Sequence, residues 1–467
     1  MINTKKAQDY FKKNSKNFIE QLARFVAIPS ISSDSAHTKD VDRSANSVAA
    51  YMRSIGLEHV EILQVRGGKP AVYGDWLHAS TKTSTSPTLL LYAHHDVQPT
   101  GEHNKWKTEP FKAVKKGDRL YGRGAADDKG GLMMHLAAIA SYLKTKKKLP
   151  VNVKCLFEGE EEIGSPTLVK LLTKYRKKLE ADVMVLSDTE NYAADIPGIT
   201  IQLRGLISCH ISISALEKPV HSGGWGGPIP DPALAMAKLL AKLTDGNGRM
   251  AIPNVYEDVE LLSSEQRALL KKLPFDLNKF RKHAGVLEDV ELVRQGDATP
   301  HEMIWHLPSL SVNVIQVSSR AQASNVIMDS AWAQIGIRLV PNMMPEKVIK
   351  LLDDFLKKNV EKGFRLDVKM DHVLPPWKTS IEHPAFRAAE RALKKGYGKE
   401  PVYMGCGGSI GFVEPFAKAL KAPALLIGVE DPETAAHSWN ESLHLGGWQK
   451  GVVSMIELLG ELAESSK

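Results

Sequence analysis

The chain has 467 residues, 43% hydrophobic and 25% charged, an ordinary water-soluble balance with length for two or three domains. No apolar run reaches the ~18 residues of a membrane span, and the lysine-bearing N-terminus lacks the apolar centre of a secretory signal, so a cytoplasmic protein with no membrane partner is expected. The formal net charge is +7, but the lysines sit in short clusters at the ends of helical patterns, with no basic tail and no interleaved aromatic stripe, which excludes a nucleic-acid partner from the expectation.

In chain order, residues 7–27 carry Phe11, Phe18, Leu22 and Phe25 at helical spacing, and a second helix over about 41–55 stops at Gly56. Candidate strands follow at 59–65, 70–76 and 88–93, then a helix at 130–143, a buried strand at 151–157, a helix at 166–179 and a strand at 181–186. Strands alternating with helices imply a mixed, mostly parallel sheet flanked by helices, an α/β fold. After Asp188 the pattern changes. Strands at 199–203 and 206–214, a helix at 230–243, strands at 310–317 and 331–340, a helix at 344–360 and a strand at 364–370 follow the ferredoxin-like α+β order, with a polar insertion over 245–305. The α/β pattern then resumes with a helix at 383–396, a strand at 423–427 and a closing helix at 445–464. The expected organisation is a first domain over 1–205 and 375–467, interrupted by a second over 206–374 with a linker near 373–377. Cys155, Cys209 and Cys406 lie far apart with no C-x-x-C pair, so neither a disulfide framework nor a cysteine-bound zinc is expected, and Cys155 and Cys209 read as core thiols.

The chemistry concentrates where strands end. The run 151–157 exits into Glu158-Gly-Glu-Glu-Glu-Ile-Gly-Ser165, with four glutamates in five residues. Such a cluster at the end of a core strand is partly desolvated and self-repelling, and so calls for positive charge. The strand 88–93 runs into His94-His-Asp96; residues two apart face one side, so His94 and Asp96 act together, either as a metal ligand with its orienting carboxylate or as a capped loop histidine. In Gly122-Arg-Gly-Ala-Ala-Asp127-Asp128, the acids precede a helix; they read as ligands or as an N-cap, while a phosphate loop is disfavoured by the acids and the spacing. Asp188 ends the strand 181–186, and His437 follows the strand at 423–427. Two imidazoles and three carboxylates suit two Zn2+, or Mn2+ or Co2+.

HHDVQP, LYGRGAADDKGG, EGEEEIGS, LSD, HSGG, IRLVPN, GGSI and AHSWNE occur in that order. In this the chain resembles the di-zinc metallopeptidase family of cytosolic non-specific dipeptidase, carnosinase, carboxypeptidase-G-type enzymes, aminoacylase, acetylornithine deacetylase and succinyl-diaminopimelate desuccinylase. The spelling is most similar to the dipeptidase and carnosinase branch. The resemblance implies that Asp127 bridges two metals, that His94 and Glu162 complete one and Asp188 and His437 the other, that Glu161 is the general base, and that Asp96 supports His94. It implies a cis Asp127–Asp128 peptide. It further implies that His221 stabilises the oxyanion across a homodimer interface, and that Arg338 and Ser409 hold the substrate's carboxyl end. Asn325 stands where that branch has threonine, which bears on substrate preference. Glu158 and Glu160 are expected to be supporting or solvated. The implied activity is hydrolysis of small peptides, a dipeptidase, with an N-acyl amino acid deacylase as the alternative; closure of the second domain, a lid and dimerisation domain, would bring His221 in.

Overall fold

The computed structural model describes residues 2–80, 86–411 and 413–465. Four short apolar runs lie as parallel neighbours in the order Asn152–Glu158, Thr88–His94, Val183–Leu186, Ala424–Leu426. Nearly every residue of these strands is buried, because helices cover both faces, and this is why they read as continuous rather than alternating apolar runs. Antiparallel strands flank them: Ala71–Trp76 and then Glu58–Leu63 on one side, Gly198–Leu203 on the other. The sheet is therefore mixed and parallel at its centre, as expected.

The contacts divide the chain into two compact units. The first is Met1–Ile201, Thr379–Met404 and Ile410–Lys467; the second is Gln202–Lys378 with Gly405–Ser409. The expected limits of 206 and 374 thus lie inside the second unit, because Gln202 and Leu203 pair with Lys378 and Trp377 as the chain enters and leaves it. The stretch Gly405–Ser409, expected in the first domain, belongs to the second unit.

In the second unit the sheet order is Ser309–Gln316, Ser330–Leu339, Gly205–Ser214, Arg365–Leu374, all antiparallel. With the helices Pro232–Ala241 and Pro345–Asn359 between strands, this is the βαββαβ arrangement. The insertion forms three short helices, Ser264–Lys272, Leu277–His283 and Pro300–His306.

Within the first unit, helix Lys129–Lys146 is buried along almost its whole length and has no polar face, as a central helix should. It is backed by Lys5–Val26, through the buried stripe Phe11, Phe18, Leu22 and Phe25, and by Leu445–Ser465. Trp448 joins the three: it is fully buried, meets Phe11 edge-on at 5.9 Å and donates its indole N–H to the Gly130 carbonyl at 2.9 Å. Gly130 opens the helix that starts at the Asp127–Asp128 turn, so this packing seats the turn. Trp448→Ala should destabilise the protein by about 3–5 kcal/mol, the usual result of emptying a large aromatic site. Urea denaturation of the purified variant checks this, and a loss under about 1 kcal/mol would show that the helices repack without it.

Candidate metal centre

Parallel register brings the strand ends to one level. His94 pairs with Glu158, and Tyr92 with Leu186, so Asp188, two residues beyond, lies level with His94 on the neighbouring strand. Beyond Glu158 the chain first makes a 3-10 turn over Glu161–Ile163; the helix expected over 166–179 follows in two pieces, Leu168–Lys174 and Arg176–Leu179. That turn carries Glu162 further out, toward His437.

Two groups of donors result. Ligand atoms of His94, Asp127 and Asp188 lie within 4.8 Å of one another, and so do those of Asp127, Glu162 and His437. Asp127 belongs to both: Oδ1 lies 3.0 Å from His94 Nε2 and Oδ2 3.0 Å from His437 Nε2. His437 Nε2 is also 3.1 Å from Glu162 Oε2. The pairing implied by the resemblance is thus corrected. His94 goes with Asp188 and His437 with Glu162, because Asp188 ends its strand level with His94 while the turn Glu161–Ile163 carries Glu162 away from it. The Asp127–Asp128 peptide is cis.

Glu161 lies beside the groups without joining them, its Oε2 4.0 Å from His94 Nε2. Burial and the Asp188 carboxylate push its pKa well above the usual carboxylate range. Burial also lifts Glu162 to about 7, with Asp127 adding to the rise, and Asp188 to about 6. These acids hold more negative charge than two imidazoles balance. Nitrogen and oxygen donors in two clusters sharing one carboxylate fit a pair of divalent cations of the zinc type.

Asp96 does two jobs. The His94 Nδ1 faces it, 3.1 Å from its carbonyl oxygen and 3.4 Å from Oδ1, which leaves Nε2 for the cluster. Its carboxylate also accepts the backbone N–H groups of Glu161 and Glu162 at 3.3 and 3.1 Å, fixing the glutamate turn. Asp128 is the residue before the helix, yet its carboxylate makes no cap; Ser187 donates to it at 3.0 Å. Glu158 and Glu160 are buried rather than solvated. Tyr92 donates to Glu158, and Glu160 accepts from the backbone N–H of Lys69 and Thr167 and from the Thr167 hydroxyl.

Three further residues shape the site. Gln98 donates to Glu162 from its backbone at 3.0 Å and its side chain at 2.9 Å. Glu430 is buried, and the Asp127 and Asp188 carboxylates join burial in raising its pKa well above the usual range. Glu441 is fully buried against Arg123 at 2.7 Å and accepts the N–H groups of Gly124, Ala126 and Asp127. The loop bearing His437 is pinned at its other end by the bidentate pair of Arg119 with Asp431, at 3.1 and 3.0 Å. Between these anchors Ala435, His437 and Asn440 take positive φ. Glu441 was visible only as the last letter of AHSWNE, and Gln98 only as part of HHDVQP.

In the second unit, His221 is exposed at the end of a two-residue ladder with Val326–Ile327. Its Nδ1 accepts the N–H groups of Gly223 and Gly224 at 3.1 and 3.2 Å. The neutral ring therefore carries its proton on Nε2, as a donor. Asn325 is exposed, and its carbonyl accepts the Ser222 N–H at 2.9 Å. Arg338 donates to the Ser409 hydroxyl at 2.8 Å.

A family model for the peptidase family M20/M25/M40 matches residues 90–461. The chain belongs to that family. It is 30% identical over 433 residues, 92% of each chain, to the cysteinylglycine-S-conjugate dipeptidase of Corynebacterium striatum. Among solved structures it is similar to human carnosine dipeptidase 1 (TM-score 0.86) and to the dipeptidase Dug1p of Saccharomyces cerevisiae (TM-score 0.85), each 26% identical with 99% of both chains covered. Peptidases of this family have the mixed α/β sheet and second unit described above, and the chain is a metallopeptidase by membership.

Replacing Glu441 by Ala would leave Arg123 charged, buried and unpaired, which costs about 3–5 kcal/mol. Glu441→Ala should lower the stability of the chelator-treated protein by that amount and weaken zinc binding measured by chromophoric competition. Unaltered zinc affinity would show that the clamp does not position His437 and Asp127.

Proposed function

We propose that the protein is a dipeptidase that uses two Zn2+ per subunit, with Mn2+ or Co2+ as possible replacements, held by His94, Asp127 and Asp188 and by Asp127, Glu162 and His437. The observation that carries this reading is the single carboxylate shared by two imidazole–carboxylate groups, with the Glu161 carboxyl beside them and outside both. When bound, the ions supply Lewis-acid polarisation of a carbonyl and a water made acidic near neutral pH.

Glu161 takes the proton of the attacking water and passes it to the departing amine, splitting the amide into an acid and an amine. Asp96 keeps the His94 ring oriented and the glutamate turn in place. His221, with Nδ1 occupied by backbone donors, offers Nε2–H to the oxyanion as charge develops on the carbonyl oxygen. Arg338 and Ser409 take the carboxyl end of the substrate, which disfavours long peptides, and Asn325 bears on substrate preference.

A homodimer is part of the proposal. Strand Ser309–Gln316 is a sheet edge with Val312, Val314 and Ile315 exposed, a surface suited to a second copy of the chain. The three cysteines are free thiols, which agrees with a cytoplasmic setting. No helix among the described residues is long and apolar enough to cross a membrane.

A panel of dipeptides, including Cys-Gly and β-Ala-His, assayed beside N-acetyl and N-succinyl amino acids after chelation and single-ion add-back, tests the reading. Dipeptide hydrolysis should vanish with chelator and return with Zn2+, Mn2+ or Co2+. Turnover of the N-acyl amino acids alone would overturn it in favour of a deacylase.

Glu161→Ala should retain both ions by elemental analysis while turnover falls by several orders of magnitude, beyond the roughly 100- to 10,000-fold of a simple acid–base contribution. Near-normal turnover would remove Glu161 from the base role.

A further inference from the structure

In the second unit Arg204 and Arg338 lie near enough to repel, and among the described residues no Asp or Glu pairs with either. Arg204 is partly buried beneath the loop Gly405–Ser409. Its backbone N–H points at the Cys406 and Gly408 carbonyls, at 3.3 and 3.2 Å, its Nε donates to the Gly407 carbonyl at 3.0 Å and its Nη1 to the Ser309 hydroxyl at 3.2 Å. Ser309 is in turn the cross-strand partner of Arg338, which is itself partly buried and donates to Ser409. One serine thus ties the two arginines to one spot, and all their side-chain hydrogen-bond partners are neutral oxygens.

Among the described residues, neither arginine forms an ion pair with Asp or Glu, whereas Arg119 and Arg123, the buried arginines of the first unit, each hold a carboxylate. Burial and the charge of Arg338 pull the Arg204 guanidinium down to about 10. Half-buried like charges side by side are unfavourable unless something anionic joins them. Among the described residues, no hydrogen-bond partner meets Arg204 Nη2. A Cβ at position 407 would come within 3.2 Å of that nitrogen, so the glycine there keeps its approach open. A single carboxylate balances one of the two cations, and a dianion balances both.

We propose that Arg204 and Arg338 form a two-guanidinium site that selects peptides whose C-terminal residue carries a second carboxylate, that is, dipeptides ending in Asp or Glu. This rests on the dipeptidase reading: Arg338 takes the α-carboxylate and Arg204 the side-chain carboxylate, through charge-assisted hydrogen bonds of the kind arginine's planar fork favours.

The test compares Ala-Glu with Ala-Ala as substrates, and free L-glutamate with free L-alanine as calorimetric ligands, for the zinc-loaded wild type, Arg204→Gln and Arg204→Lys. Wild type should prefer Ala-Glu in kcat/KM. Arg204→Gln should lose about 10- to 100-fold more on Ala-Glu than on Ala-Ala, mainly in KM, the worth of a charged hydrogen bond, and Arg204→Lys should recover part of that difference. Equal losses on both peptides would mean that Arg204 only braces the loop, and would overturn the proposal. Hydrolysis of neither peptide by wild type would sink the dipeptidase reading instead. In that case glutamate binding decides alone: tighter binding than alanine, lost in Arg204→Gln, upholds the anion site, and no difference overturns it.

Discussion

Asp127 is the side chain on which both histidines of the centre converge, one at each carboxylate oxygen. Around it stand Asp96, Asp128, Glu161, Glu162, Asp188 and Glu430, all buried or nearly so. In a medium of low effective dielectric, carboxylates a few Å apart repel strongly, and the raised pKa values of Glu161, Glu162 and Asp188 register their burial first and that repulsion second. A fold that gathers so many acids at the ends of its central strands is arranged for cations. The rest of the first unit follows from holding Asp127 between two rings that arrive from opposite ends of the chain.

That holding is done by buried charge pairs rather than by the sheet alone. His94 comes directly off a core strand and needs little more than Asp96 to set its ring. His437 sits on a loop eleven residues past the strand Ala424–Leu426, with positive φ and an exposed ring. Loops of that kind wander unless they are tied. Arg119 with Asp431 and Arg123 with Glu441 tie this one at either end. Glu441 also accepts the Asp127 N–H, so the same carboxylate locks both the bridging acid and the loop that brings its second imidazole. The clamp ties two distant segments together, which is what the two-ion centre proposed above would require of its ligands.

The ligands were legible in the sequence because each sits where a periodic apolar run stops. A histidine or acid in that position has few structural reasons to be there. What the sequence withheld was adjacency. His94 groups with Asp188 rather than Glu162 because Asp188 lies level with it on the neighbouring strand while the turn after Glu158 carries Glu162 toward His437, and the order of strands in a sheet is not the order in the chain. The 3-10 turn that displaces Glu162 has no periodic signature at three residues. Glu441 and Gln98 act by touching groups far away in sequence, and in isolation both read as solvated polar residues. Of the two roles expected for Glu158 and Glu160, supporting or solvated, they take the first, and their donors, Tyr92, Lys69 and Thr167, come from other elements. The limits of the second unit moved outward because a two-residue ladder at its neck is too short to see as strand.

Protons occupy the centre when ions do not, and this sets how ions enter. Asp127 and Glu162 hold the His437 imidazolium up to about pH 11, and Asp127 and Asp96 hold His94 protonated well above its ordinary range although burial opposes it. A ring raised in this way adds stability that is complete below the unfolded value near 6.5 and disappears as pH climbs through the folded one. A metal ligand must be a neutral imidazole. A cation held as proposed would therefore expel a proton from the ring it takes, replacing an imidazolium by a dication at the same carboxylates. The charge deficit that destabilises the empty acids is what makes the exchange favourable, and it steepens with pH over the interval in which the rings still hold their protons. On the proposed ligand set, the affinity of the centre for ions and the stability of the ion-free fold would draw on the same carboxylates and change in opposite directions as the solution becomes more alkaline.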